Sequence, residues 1–107
     1  MPKYELLETE NFSKAFSKLT KEIQKRFDCQ FRKLLTDPFS IGDPIHGRRW
    51  FREIKNQKYR AYYMIFEDKV IIVLVGISEK KNQQKIIDFI LRNVDKMASN
   101  TSDQQKS

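Results

Sequence analysis

The sequence predicts a single α+β domain in which an antiparallel sheet packs against a helical hairpin and a C-terminal helix. Short runs of β-branched and aromatic residues, separated by three polar residues, follow one another between positions 48 and 81. This arrangement is typical of consecutive antiparallel strands. On either side of this region the apolar residues recur at helical spacing. The predicted order is β-α-α-β-β-β-α over residues 1–97.

The last strand of the sheet region, residues 70–75, is apolar at every position. Both of its faces are therefore expected to be covered, and we expect it to be the central strand. The two strands before it span about residues 50–55 and 59–66. A short half-alternating strand over residues 4–8 is expected at a sheet edge.

The helices are predicted from apolar stripes and capping residues. Asn11 is the expected N-cap of the first helix, and Thr20 that of a second helix over residues 21–35. Pro38 ends the second helix and begins a loop that extends to Gly47. Asn82 is the expected N-cap of the third helix.

The length and composition fit one globular domain with a polar tail. The chain has 107 residues, 39% of them hydrophobic, and a single cysteine, which excludes an internal disulfide. We read no secretory signal, and no apolar run is long enough for a membrane span, so a cytoplasmic protein is expected. Residues 98–107 have no apolar periodicity and are expected to be disordered.

The positive charge is concentrated on the predicted sheet. The chain carries a net charge of +7, and residues 48–81 contain nine Lys and Arg against four Asp and Glu. A surplus of this kind favours polyanionic partners such as nucleic acid or an acidic protein. A basic surface that only maintains solubility is the alternative.

Strand pleating places some of these cations side by side. If the chain turns at residues 56–58, Lys55 and Arg60 are cross-strand neighbours on one face, and Arg52 lies on the other. Two adjacent cations repel each other unless an anion lies between them. A bound anion satisfies this requirement, and so does a Glu53–Arg60 ion pair.

Other side chains in the region carry weaker signals. The aromatic residues Trp50, Tyr59, Tyr62 and Tyr63 could stack on bases, but at least half of them are expected in the core. His46 is the only histidine and a candidate for proton transfer. We find no phosphate-binding glycine loop, nucleophile elbow or metal-ligand cluster. The residues alone therefore do not identify an enzyme.

Three motifs stand out along the chain: residues 34–47 (LLTDPFSIGDPIHG), 51–63 (FREIKNQKYRAYY) and 68–76 (DKVIIVLVG). Together with the order of elements, these motifs resemble the RelE/ParE toxin superfamily of toxin–antitoxin systems. In that family a helix ending before proline leads to a Pro-Leu-x-Gly loop. A basic strand and a Tyr-Arg-x-x-Tyr strand follow. The resemblance covers about residues 4–94.

The resemblance implies a toxin that is held inactive by a cognate antitoxin protein and cleaves mRNA on the ribosome without a metal or other cofactor. By position, Arg60 corresponds to the arginine at the scissile phosphate, and Lys55 and Lys81 to further catalytic cations. The remaining cations are expected to bind RNA phosphates: Arg48, Arg49, Arg52, Lys58 and Lys80.

The chain departs from the family pattern at its acid–base residues. Many active members carry a tyrosine or histidine near the last strand or in the C-terminal segment, whereas this chain has neither after Tyr63. Either a lysine, Glu79 or His46 substitutes as acid or base, or the chain is a weak or inactive nuclease. The alternatives are a ParE-like inhibitor of DNA gyrase without nuclease activity, and a non-toxic basic binding domain on the same scaffold.

Overall fold

The computed structural model describes residues 3–106, with side chains described as far as Val94. Its elements in chain order are β1 (Glu5–Glu8), α1 (Glu10–Ser17), α2 (Lys21–Leu34), β2 (Asp43–Ile45), β3 (Arg48–Asn56), β4 (Tyr59–Phe66), β5 (Ile71–Glu79), a short 3₁₀ turn (Lys80–Asn82) and α3 (Gln83–Lys106). The predicted α+β architecture is confirmed, with one additional short strand, β2, inside the segment that was expected to be a loop.

The five strands form one mixed sheet in the order β1-β5-β4-β3-β2. β1 pairs in parallel with β5 at one edge, and the other pairs are antiparallel. The edge position of β1 agrees with the prediction. The expectation that residues 70–75 form the central strand is wrong, because β4 occupies the middle of the sheet and β5 lies between β4 and β1. A strand that is apolar at every position is expected to be covered on both faces. An interior strand next to the edge strand meets this condition as well as the central strand does.

Helices cover both faces of the sheet and create two cores. On one face α1 and α2 bury an aromatic cluster that includes Phe12, Phe27 and Phe31. On the other face Ile87 and Ile90 of α3 pack with residues of the sheet that include Phe51, Tyr62 and Met64. The prediction that both faces of β5 are covered is therefore confirmed.

Two predicted caps are corrected. Thr9, not Asn11, caps α1, since its extended backbone lets Oγ1 accept from the Phe12 amide at 3.1 Å. Asn82 does not cap α3 directly. It ends the 3₁₀ turn, and its Oδ1 accepts from the Glu79 amide at 2.9 Å. Thr20 caps α2 as predicted.

Two expectations concern parts of the chain beyond the sheet. The tail predicted for residues 98–107 lies outside the residues whose side chains are described, and it stays a prediction. Within the described residues, no helix has the length and apolar character needed to cross a membrane.

The segment between α2 and β2 is held against the sheet by buried polar contacts. The Tyr63 hydroxyl donates to the carbonyls of Pro38 and Ile41, and Arg52 donates to the carbonyls of Ile41 and Gly42. Gly42 has a φ of 74°, and a Cβ added there would meet the Glu53 carbonyl oxygen at 2.5 Å. This close approach brings β2 beside β3 and places Asp43 opposite Glu53.

We expect Gly42→Ala to destabilise the fold more than Gly47→Ala. Both glycines have a positive φ, but a Cβ on Gly47 meets nothing within 4 Å. The left-handed backbone alone costs about 1–2 kcal/mol per residue, and only Gly42→Ala adds a backbone clash. Chemical denaturation of the two variants measures the difference. Equal losses of unfolding free energy would contradict the close approach of Gly42 to β3.

Candidate functional site

Lys55 and Arg60 are opposite each other in the β3–β4 register, as predicted from the pleat. Glu53 is opposite Tyr62 in the same ladder, on the same side of the sheet. This face is the one that α3 covers, and the four side chains lie near the end where α3 begins. The candidate site is therefore built from two adjacent strands and the first turn of a helix.

The Arg60 guanidinium is held in place and still has an unused donor. The side chain is 7% exposed, and Nη1 donates to the carbonyls of Gln57 and Tyr59, both at 2.9 Å. Its Nε is buried and has no hydrogen-bond partner among the described residues. Buried donors are almost always satisfied in folded proteins, so this unpaired nitrogen is unusual. Because it has almost no exposed surface, an acceptor from a ligand reaches it only if neighbouring atoms move.

Glu53 is a buried carboxylate held by a neutral amide. It is 6% exposed, and Nε2 of Gln83 donates to its two oxygens at 2.6 and 2.9 Å. In the part of the chain that the structure describes, no Lys or Arg nitrogen lies within the 4.0 Å ion-pair limit of Glu53. The Glu53–Arg60 ion pair, one of the two arrangements considered from the sequence, is therefore not formed.

The protonation of Glu53 is controlled by burial. Burial raises the pKa of Glu53 above its ordinary value of 4.5, and the charges of Lys55 and Arg60 oppose that rise. Asp43, across the β2–β3 ladder, raises this pKa further, and the Gln83 hydrogen bond lowers it. A carboxylate in such a setting is a better proton acceptor than one in an ion pair.

This shift predicts a pH-dependent stability. The folded state binds the Glu53 proton more tightly than the unfolded chain does. The resulting stability is fully present below the ordinary pKa of 4.5 and is lost as the pH rises through the folded-state pKa. We expect the unfolding free energy of Glu53→Gln, relative to wild type, to increase between about pH 4 and pH 7. Urea denaturation across this range measures it, and a pH-independent difference would contradict the shift.

Tyr62 and Ser78 are two further buried residues near Arg60, and their hydroxyl groups form a hydrogen bond. The two hydroxyl oxygens are 2.6 Å apart, and both residues are buried. Burial raises the pKa of Tyr62 to about 12, and the Ser78 hydrogen bond partly opposes that rise. Tyr62 therefore remains a neutral phenol near neutral pH, and its hydrogen bond links β4 to β5 at Ser78, which is the partner of Arg60 in the β4–β5 register.

Three of the predicted lysines gather where β5 ends beside the β3–β4 turn. Glu79 Oε1 lies 3.2 Å from the Lys58 ammonium, and Glu79 Oε2 lies 3.8 Å from the Lys81 ammonium. The hydrogen bond that Lys58 donates to Glu79 raises the pKa of Lys58. The backbone amide of Lys80 donates to the Lys58 carbonyl at 2.7 Å, which ties the 3₁₀ turn to the hairpin. These exposed ammonium groups are available to an anion.

The other predicted site residues lie elsewhere. Arg52 is buried on the opposite face and donates to the carbonyls of Ile41, Gly42 and Arg49. Arg49 pairs with Glu67 at 3.3 Å at the other end of β3. Arg48 lines a groove with α3, and His46 occupies the β2–β3 turn with a φ of 51°. Arg48 and Lys55 are roughly 24 Å apart along the strand. RNA contacts by these residues stay predictions.

The aromatic residues divide as expected, with at least half in the core. Tyr62 and Tyr63 are fully buried, whereas Trp50 is 39% exposed. From the sequence, Glu53 is expected only as an ion-pair partner and Tyr62 only as an aromatic residue that stacks on bases or lies in the core, and neither Ser78 nor Gln83 is predicted in the site. The strand register alone would have placed Tyr62 beside Glu53 in the site. The contact between Glu53 and Gln83, by contrast, is not marked by any pattern in the local sequence.

The fold is similar to that of RelE toxins in solved structures. A mutant of Escherichia coli RelE in the free state matches with a TM-score of 0.72 and 18% identity, over 84% of this chain and 97% of that chain. The toxin of the E. coli RelBE complex matches with a TM-score of 0.64 and 20% identity, over 71% and 95%. The RelE–RelB complex of Pyrococcus horikoshii gives 0.58 and 19%, over 72% and 94%. No protein-family model and no curated protein sequence matches the chain. The chain thus has a RelE-like fold.

Proposed function

We propose that this chain is the toxin of a type II toxin–antitoxin system and inhibits translation by cutting mRNA on the ribosome. The observation that carries the proposal is the guanidinium of Arg60, which two backbone carbonyls fix in place directly opposite Lys55. The RelE-like fold supports it, because several solved relatives are complexes of a toxin with its antitoxin.

In the proposed reaction the protein stabilises charge that develops on a phosphodiester. Attack by a ribose 2′-oxygen on the adjacent phosphorus produces a 2′,3′-cyclic phosphate and releases a 5′-hydroxyl. Arg60 and Lys55 hold the developing negative charge on the phosphate oxygens. The RNA strand is held by the lysines around Glu79, namely Lys58, Lys80 and Lys81. The Lys81 ammonium lies 3.8 Å from a Glu79 oxygen. No metal or cofactor takes part.

The proposed antitoxin neutralises the same surface. The net charge of +7 and the exposed lysines around Glu79 favour an acidic partner. An antitoxin segment that covers Lys55, Lys58 and Lys81 would exclude RNA from the site. We expect this protein to bind tightly to an acidic protein encoded next to it, and we expect added salt to weaken the binding.

Inhibition of DNA gyrase is the other toxin activity considered for this fold. Gyrase binding needs only a surface, and it gives no role to a fixed guanidinium directly opposite a lysine. The nuclease proposal uses both of these cations, Arg60 and Lys55, and for this reason we prefer it.

The test is a reconstituted translation reaction with purified protein, ribosomes and a defined mRNA. We expect cuts inside the translated frame, 2′,3′-cyclic phosphate ends on the upstream fragments, and no cuts when ribosomes are omitted. Growth arrest on induction without cuts, together with inhibited supercoiling by purified gyrase, would favour the gyrase activity instead. Normal growth on induction would indicate a non-toxic binding domain.

A further inference from the structure

We infer that Glu53 is the group that accepts the proton of the attacking 2′-hydroxyl, and that Gln83 of α3 positions its carboxylate. This inference rests on the proposed function. It assigns an acid–base residue to a chain that has no tyrosine or histidine after Tyr63.

The geometry places the carboxylate beside the phosphate position. Glu53 and Lys55 are two residues apart on one face of β3, and Arg60 is directly opposite Lys55. Diagonal neighbours in an antiparallel ladder are about 7–8 Å apart at Cα, and somewhat less at Cβ. A phosphodiester held by Lys55 and Arg60 therefore has a ribose oxygen within reach of Glu53.

The surroundings of Glu53 keep it available as a base. Five groups face it: Lys55 on β3, Arg60 and Tyr62 on β4, Asp43 on β2 and Gln83 on α3. Lys55 contacts Asp43, 4.0 Å away, and the Arg60 Nη1 donates to backbone carbonyls. The carboxylate is therefore oriented by a neutral amide and is not locked in an ion pair. Burial raises its pKa, which strengthens it as a proton acceptor.

The alternative bases are less well placed. Both oxygens of Glu79 face lysine ammonium groups, those of Lys58 and Lys81. His46 lies in the β2–β3 turn, away from the Lys55 end of β3. Among the described side chains on the face that carries Arg60, Glu53 is the carboxylate that combines burial with a neutral hydrogen-bond donor.

In the proposed step Glu53 is the base and Lys55 is the acid. The O2′–H bond breaks and its proton moves to a Glu53 oxygen while the O2′–P bond forms. The P–O5′ bond breaks, and the leaving 5′-oxygen takes a proton from the Lys55 ammonium. Glu53 returns its proton to solvent and Lys55 regains one from solvent, so the enzyme is restored. No oxidant, reductant or metal is needed.

The experiment is single-turnover cleavage of ribosome-bound mRNA across a pH series, with ribosome binding measured in parallel. For Glu53→Gln we expect a rate loss of about 10²–10⁴-fold, with ribosome binding retained and the rise of rate with pH abolished. Glu53→Asp should keep that rise at a reduced rate. In Gln83→Ala the rise should move to higher pH, because the lost hydrogen bond stabilised the charged carboxylate. Glu5→Gln, which removes an exposed carboxylate on β1, is the matched control and should cleave as wild type does.

The outcomes separate this inference from the proposed function. Wild-type cleavage together with a Glu53→Gln variant that keeps the rate and the pH profile of wild type would overturn the inference alone. An inactive wild-type protein would overturn the proposed function and, with it, the inference. If Glu53→Gln is inactive but does not fold, the pH profiles of Glu53→Asp and Gln83→Ala decide: a profile unchanged from wild type in both variants overturns the inference.

Discussion

Replacing Arg60 with alanine is expected to lower ribosome-dependent cleavage by about 10²–10³-fold, the usual effect of removing one preorganised donor to a developing charge. Growth arrest on induction should disappear in the same variant. The guanidinium is held by two carbonyls at 2.9 Å and lies directly opposite Lys55. In the proposed reaction it supplies a fixed positive charge next to the phosphate, and alanine supplies none.

Two further variants separate chemistry from folding. Arg60→Lys keeps the charge but lacks the planar fork, so we expect it to restore binding to the ribosome more than cleavage. Arg26→Ala removes an exposed arginine that pairs with Glu22 on α2 and should leave cleavage unchanged. Thermal unfolding of each variant shows whether the domain remains intact. Full toxicity in a folded Arg60→Ala protein would contradict the proposed role of this residue.

The sheet could be predicted largely because its signals are local. Alternation along β3 and β4, with a short polar turn between them, is sufficient to place Lys55 opposite Arg60. The same alternation places Arg52 on the opposite face, which weakens its assignment to the RNA surface. β2 escaped prediction because three residues, Asp43–Ile45, show no periodicity, and the close approach at Gly42 determines their pairing.

The rest of the site depends on contacts between distant residues. Gln83 reaches Glu53 across thirty positions of sequence, and Tyr62 reaches Ser78 across sixteen. Neither contact produces a pattern in the local sequence, because each depends on how α3 and β5 pack against the neighbouring strands. A count of charges also places Arg48 and Lys55 in one basic surface. The two residues are near opposite ends of β3, which has nine residues, so they cannot contact the same group. Composition indicates how many cations a surface has, and only the strand register indicates which of them meet.

The largest loss of stability is expected from Phe27→Ala, in the core beneath α1 and α2. Phe27 is fully buried, and its ring stacks on Phe31 with centroids 5.6 Å apart and planes 10° apart. Truncating such a residue removes its transfer free energy and leaves a cavity, so we expect a loss of about 3–5 kcal/mol. Because small domains are stable by only about 5–15 kcal/mol, the variant should unfold at a much lower temperature.

Phe89→Ala is the matched control for this prediction. Phe89 lies on α3 and is 47% exposed, so the same truncation should cost less than about 1 kcal/mol. Urea denaturation of both variants measures the difference, and equal losses would contradict the placement of the core between the helical hairpin and the sheet. Toxicity provides a second comparison with Arg60→Ala. Phe27→Ala should lose toxicity only where it is unfolded, since its side chain lies on the face of the sheet opposite Arg60 and Glu53.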